Sequence, residues 1–136
     1  MTLAEVRVAL SDSRAHLEST SLYLNDCAYL SSTAVPKQLG VMFAEGRVVR
    51  IDVFYSEIRT ASGAGVGDSE EKIKRLYPGR ISVEPHFYVP GGHYLTYHPA
   101  NPAEKGYGLR FETEDGTVTS FRAGTIAAIS LVEGCS

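Results

Sequence analysis

The chain has no tryptophan, two cysteines and two methionines among its 136 residues, and neither sign of charge dominates. Residues 1–67 carry 6 basic and 7 acidic side chains and residues 68–136 carry 7 and 9, so no segment is strongly basic. With no basic stripe to neutralise phosphates, nucleic acid is not an expected partner. No apolar run approaches the roughly 20 residues that a bilayer-crossing helix needs, so no membrane-spanning segment is expected. A secretory signal is not read at the start either, because residues 2–10 already form a charged amphipathic pattern. Also missing are a G-x-S-x-G elbow, an H-E-x-x-H pair, a C-x-x-C motif and a closely spaced Cys–His pair. The sequence therefore predicts a non-enzymatic protein, with no catalytic residue, no metal site and no cofactor.

What is present fits one globular domain. Hydrophobic residues make up 43% and charged residues 21%, which separates the chain from disordered and fibrous classes. A chain of this size can bury a sizeable core. Cys27 and Cys135 lie far apart, and two readings stay open for them: separate buried thiols, or a bridge tying the tail Glu133-Gly134-Cys135-Ser136 to the first half. The second is the expectation, and it implies an oxidising compartment.

Internal similarity is the most informative pattern. Thr2-Leu3-Ala4-Glu5-Val6-Arg7-Val8-Ala9-Leu10 matches Ser69-Glu70-Glu71-Lys72-Ile73-Lys74-Arg75-Leu76-Tyr77. Val6 with Leu10, and Ile73 with Tyr77, place apolar groups on one helical face. Thr2 with Glu5 predicts a capping box, and Asp68 with Glu71 a similar start for the second helix. Downstream, the stretch from Phe43 through Glu45-Gly46 to Ile51 parallels that from Phe111 through Asp115-Gly116 to Phe121, each a strand, a Gly turn and a strand. Val49, Ile51, Val53 and Tyr55 should share a buried face, with Arg50 and Asp52 on a wet one. A further hairpin is expected from residues 81–89 and 93–98, turning through Pro90-Gly91-Gly92. The predicted class is α+β, as two repeated units of a short helix followed by antiparallel strands. Residues 1–61 form the first unit, 62–68 a Gly-rich joint and 69–136 the second. The joint lacks the full G-x-G-x-x-G pattern, and Asp68 would repel a pyrophosphate, so it reads as a connection rather than a nucleotide site.

The opening Met1-Thr2-Leu3-Ala4-Glu5-Val6 resembles the start of small SmpA/OmlA-type envelope lipoproteins. The duplicated helix-plus-sheet layout is similar to the β-lactamase inhibitory protein fold, which tandemly repeats such a module. The resemblance covers the two helices and the following hairpins, and implies a periplasmic or secreted binding module.

If the third hairpin turns about Gly91, Glu84 pairs with His98 and His86 with Thr96. Glu84, His86, Tyr88, Tyr94, Thr96 and His98 then share one face, with His93, Phe87 and Tyr97 on the other. Two histidines and a carboxylate on one face suggest zinc, but no fourth ligand is evident. Tyr88, Tyr94, Tyr97, His86 and His98 are the candidate protein-binding residues, since Tyr near turns is the side chain interfaces favour. The leading expectation is thus a periplasmic or secreted protein-binding module whose partner is another protein. The alternatives are a small metal- or ligand-binding enzyme using the His86/His98 face, and a structural subunit docking through a strand edge.

Overall fold

The computed structural model describes residues 1–18 and 27–135. Helix α1, Leu3–Leu10, opens on the expected capping box: Thr2 Oγ1 accepts from the Glu5 amide at 3.3 Å, and Glu5 Oε1 accepts from the Thr2 amide at 3.1 Å. Two otherwise orphaned N–H groups are satisfied this way. Helix α2, Glu70–Leu76, starts at the hydroxyl residue that opens the matched segment, but without the expected pairing of Asp68 with Glu71. Ser69 is its N-cap and accepts from the Lys72 amide at 3.1 Å. Asp68 instead turns back to accept from the Gly65 amide, Arg59 and Lys72 Nζ. The Gly-rich stretch is accordingly a folded turn, with Ala64 fully buried in the core.

The strands are β1 His16–Glu18, β2 Cys27–Ser31, β3 Leu39–Ala44, β4 Arg47–Val53, β5 Ile81–Pro85, β6 His93–Tyr97, β7 Tyr107–Glu114 and β8 Thr117–Thr125. Among the described residues they build one eight-stranded antiparallel sheet in the order β1-β2-β3-β4-β8-β7-β6-β5. The fold is therefore α+β, dominated by this sheet, with a 3-10 turn at Pro102–Glu104 and a one-turn helix α3 at Ile126–Ile129. Glu45-Gly46 and Asp115-Gly116 turn their hairpins with φ of 52° and 75°, and 51° and 76°. Positive φ at both central residues is what a type I′ turn needs, and it matches the twist of the flanking strands.

Helices α1 and α2 lie on one face, and α3 lies on the other. Ile73 of α2 and Tyr77 at its C-cap pack on Val53, Leu95, Phe111 and Phe121. Val6 of α1, with Leu3 and Leu10, packs on Val41 and Phe43. Full burial of such side chains stabilises by about 1.5–3 kcal/mol each.

Expectations about β4 need correction, beginning with Ile51, which is exposed although it was placed on the buried face. The register shifts between Met42 and Phe43, so that Val48 opposes Phe43 and Val49 becomes the extra residue of a bulge. Val49 consequently leaves the face of Ile51 and Val53 and packs with Met42 and Cys27. The bulge also brings the Val49 carbonyl onto β8, where a Cβ at Gly124 would lie 2.1 Å from it; only glycine fits there. Last, the face of Arg50 and Asp52 is not wet, since both residues are only 5% exposed. The C-terminal segment covers them, anchored by a Cys27–Cys135 disulfide with Cα atoms 5.5 Å apart. No described helix is long and apolar enough to cross a membrane.

Candidate functional site

The site is assembled on the sheet face opposite α1 and α2, from β5, β6, β7, β8 and the loop 86–92. In the β5–β6 hairpin Glu84 pairs with Tyr94 and Pro85 with His93, a shift of four residues from the register expected. The shift is even, so Glu84, Tyr94 and Thr96 keep their common face. Strand β5 ends at Pro85, which puts His86 in the loop rather than opposite Thr96. From there strand parity no longer governs, and Phe87 does not join the apolar side. The loop closes through His86 N–H to the Gly92 carbonyl and Gly92 N–H to the Val89 carbonyl, both 2.9 Å. A Cβ on Gly92 would meet the Thr113 carbonyl at 2.6 Å, so the loop lies this close to the sheet because residue 92 is glycine.

Beneath the loop, Tyr94 is the pivot. It is 3% exposed, and the His86 ring stacks on it at 4.6 Å with an interplanar angle of 27°. Its hydroxyl accepts from the Phe87 amide at 3.2 Å. The guanidinium groups of Arg110 and Arg122 sit 5.2 and 5.8 Å from its ring centroid, within cation–π range. Arg110 Nε also donates to Thr96 Oγ1. The amides of Tyr88 and Val89 both donate to His86 Nδ1, at 3.0 and 3.1 Å. Nδ1 must be the acceptor, so Nε2 carries the proton and donates to Glu112 Oε1 at 2.7 Å. Glu112 Oε2 in turn accepts from Arg122 Nη1. Every link holds the loop in one shape.

That shape presents two rings to solvent. Phe87 is 72% exposed and Tyr88 57%, and they meet edge to face at 5.0 Å. The remaining sequence-predicted residues are spread out. His98 is exposed and hydrogen-bonds Ser82 Oγ at 3.1 Å. Tyr97 lies on the helix face, 4.4 Å from the Tyr77 ring. Tyr94 and His86 lie under the loop, and Tyr88 lies on its outside.

Towards the centre of the same face the charges are buried. Arg50 donates to Asp52 at 2.9 Å and to the Ala128 and Leu131 carbonyls at 3.0 and 2.7 Å. Arg122 Nε donates to the Ile129 carbonyl at 2.6 Å, and among the described residues its Nη2 is buried without a hydrogen-bond partner. Burial and the neighbouring Arg50 charge lower the Arg122 pKa, and Glu112 opposes that. A cleft of about 370 Å³ opens beside this cluster, between Tyr29, Asp52, Phe54 and the tail at Glu133 and Gly134. The sequence showed Arg50 and Asp52 only as outward residues and gave no role to Arg110, Glu112 or Arg122. Their signal was arginine at positions of strands whose neighbours are apolar.

Two chemistries can be weighed on these contacts. A metal at His86 would have to displace Glu112 or the two loop amides, because both ring nitrogens are engaged. Among the described residues no group of three or more His, Cys, Asp or Glu side chains is arranged to hold a metal ion. On the helix face, Glu70 Oε2 accepts from His93 Nδ1 at 2.8 Å and from Thr113 Oγ1. This trio has the carboxylate in the middle, accepting from both the imidazole and the hydroxyl. Comparison with family models, with curated proteins and with solved structures finds no match to this chain.

Proposed function

We propose that this chain is a non-enzymatic protein-binding module of the periplasm or the extracellular space, and that it docks its partner through Phe87 and Tyr88. One observation carries the reading: two large exposed rings ride on a loop whose base is fixed by hydrogen bonds to a buried Tyr94–His86 stack. A loop backbone held before encounter loses little freedom on binding, and aromatic anchors dominate interface energies. The disulfide supports an oxidising compartment. In this reading His86 and Tyr94 act as supports, His98 and Glu84 lie at the polar rim, and Tyr97 contributes through the core.

The proposal includes duplication, as in the β-lactamase inhibitory protein fold that the layout resembles. Its support is a set of matched details. Thr2 and Ser69 each cap a helix and each bridge the first residue of a strand, Arg47 and Thr117. Each such strand follows a positive-φ turn, and each hairpin carries a register shift, at Met42/Phe43 and at Glu112/Thr113. Docking through the β5 edge is less well supported. The hydrogen bonds of His98 N–H to Arg80 and His86 N–H to Gly92 leave the odd residues facing outward, and one of these is Pro85, which has no N–H to offer.

The test is capture from a periplasmic or culture-supernatant fraction with wild-type, Phe87→Ala and Tyr88→Ala baits, followed by calorimetry on each captured protein. The expected outcome is a partner whose affinity falls about thirtyfold with either truncation. A partner indifferent to both, or a purified protein with stoichiometric zinc, overturns the reading in favour of another surface or of the metal-binding enzyme.

A further inference from the structure

A continuous line of contacts joins the C-terminal segment to the aromatic loop. Cys135 is fully buried and bonded to Cys27, which fixes the end of the segment. Seven residues earlier in the chain, α3 turns its carbonyls onto the sheet, and Ile129 accepts from Arg122 Nε at 2.6 Å while Ala128 accepts from Arg50. The other arm of the Arg122 guanidinium reaches Glu112 Oε2. The second oxygen of that carboxylate accepts from His86 Nε2 at 2.7 Å, and His86 Nδ1 accepts from the Tyr88 and Val89 amides. Each of these is a rigid planar group with both ends occupied. A guanidinium, a carboxylate and an imidazole in series transmit orientation, because turning one end of a plane turns the other.

We infer that the disulfide-anchored C-terminal segment sets the position of the Phe87–Tyr88 loop through Arg122, Glu112 and His86, so that opening the Cys27–Cys135 bridge loosens the loop. The loop is remote from the bridge in sequence, and the Tyr94 ring, within cation–π range of Arg122 and stacked on His86, lies beside the same relay. The consequence for binding rests on the function proposed above, but the coupling itself belongs to the free protein. Arg122 is the part that makes the relay specific: its Nε serves the tail, its Nη1 serves the loop side, and among the described residues its Nη2 is buried without a hydrogen bond. A guanidinium kept at such a cost in desolvation is held there by two directional demands at once.

The experiment is amide hydrogen exchange on the free, full-length protein, read at Tyr88 and Val89 and referred to Gly63, whose amide donates to Thr60 on the other side of the sheet. The Cys27→Ser, Cys135→Ser variant should exchange Tyr88 and Val89 about tenfold faster relative to Gly63. With Glu112→Gln already present, one acceptor of the relay is replaced by a donor, and removing the bridge should then change the ratio by less than about twofold. Equal acceleration with and without Glu112→Gln, or no acceleration on losing the bridge, overturns the inference. Where the bridge-free protein fails to fold, Arg122→Lys with the bridge intact serves instead, since one ammonium cannot span the Ile129 carbonyl and Glu112. It should reproduce the loosening and move the ¹⁵N shift of His86 Nε2; unchanged protection and an unchanged shift overturn the inference equally. No partner enters these measurements, so their failure is separate from a failure of the binding reading.

Discussion

Phe121 and Arg122 are neighbours in β8, 4% and 2% exposed, and they point to opposite faces of one sheet. Phe121 meets Phe111 at 5.5 Å and is surrounded by Val53, Ile73 and Leu95. Its burial is stabilised by area and shape, which have no preferred direction. Arg122 is buried among a carbonyl, a carboxylate and an aromatic ring, each placed at a set angle. The helix face can therefore absorb a volume-conserving change, whereas the opposite face depends on partners that only one conformation of the tail supplies.

The largest effect expected concerns how that conformation is held. Closing a sequence separation of 108 residues restricts the unfolded chain by about 5 kcal/mol on the chain-entropy account. Urea unfolding of Cys27→Ser, Cys135→Ser should show most of that loss, while Phe111→Leu on the helix face should cost about 1 kcal/mol. A bridge-free protein more stable than Phe111→Leu would mean that the tail stays in place without its anchor, and the contrast between the faces would fall.

Next comes the buried pair. Arg50→Ala leaves Asp52 buried without its cation and should cost about 3–5 kcal/mol. Replacing both residues, as Arg50→Met with Asp52→Leu, removes the unpaired charge and should cost less than the single change. Chemical denaturation of the two variants decides it: a double variant worse than the single one would show that the carbonyls of Ala128 and Leu131 depend on Arg50 more than Asp52 does.

Much of the helix face was legible in the sequence, and much of the other face was not. Thr2 with Glu5, Glu45-Gly46 and Asp115-Gly116 are local signals, and the caps and turns they predict are present. Even the four-residue error in the β5–β6 register left the residue faces intact, because parity survives an even shift. Val49 was misassigned because a bulge breaks alternation without a residue that announces it. Asp68 was taken for a cap because the sequence does not show that Arg59 and Lys72 converge on it. Phe87 was placed with the apolar residues by extending β5 past Pro85, where the strand stops. The burial of Arg50 and Arg122 depends on a tail folded back across the sheet, a long-range fact that no window of sequence contains.

A smaller effect separates the regions by pH. Burial pushes the carboxyls of Asp68 and Glu70 upward, but Arg59 and Lys72 at Asp68, and Thr113 and His93 at Glu70, outweigh it and hold both below the usual range. The folded-state values thus lie below the unfolded ones, so the unfolded chain takes up protons first as pH falls. The stability they contribute is complete well above the ordinary carboxyl range near 4 and is lost as pH drops through it to the folded values. Melting temperature followed from pH 7 to pH 3 should fall less steeply in Asp68→Asn and Glu70→Gln, each costing about 1 kcal/mol at pH 7. Slopes equal to the wild type would remove these two carboxylates from the acid sensitivity of the helix face.

The smallest effect on stability should accompany the largest on binding. Phe87 and Tyr88 touch each other and solvent, and their backbone amides, rather than their rings, meet Tyr94 and His86. Truncating either ring to alanine leaves those amides in place, so the unfolding free energy should change by less than about 0.5 kcal/mol. Tyr94→Ala, by contrast, opens a cavity beneath the loop, strips the ring from His86, Arg110 and Arg122, and should cost about 3–5 kcal/mol. Tyr94→Phe lies between, since it removes only the hydroxyl that accepts from Phe87 and keeps the stack. Denaturation curves for the four variants would order them as Tyr94→Ala, Tyr94→Phe, then the two loop truncations at wild-type stability. A Tyr88→Ala protein destabilised as much as Tyr94→Phe would mean that the exposed ring helps to fold the loop, and its exposure would then need no partner to explain it.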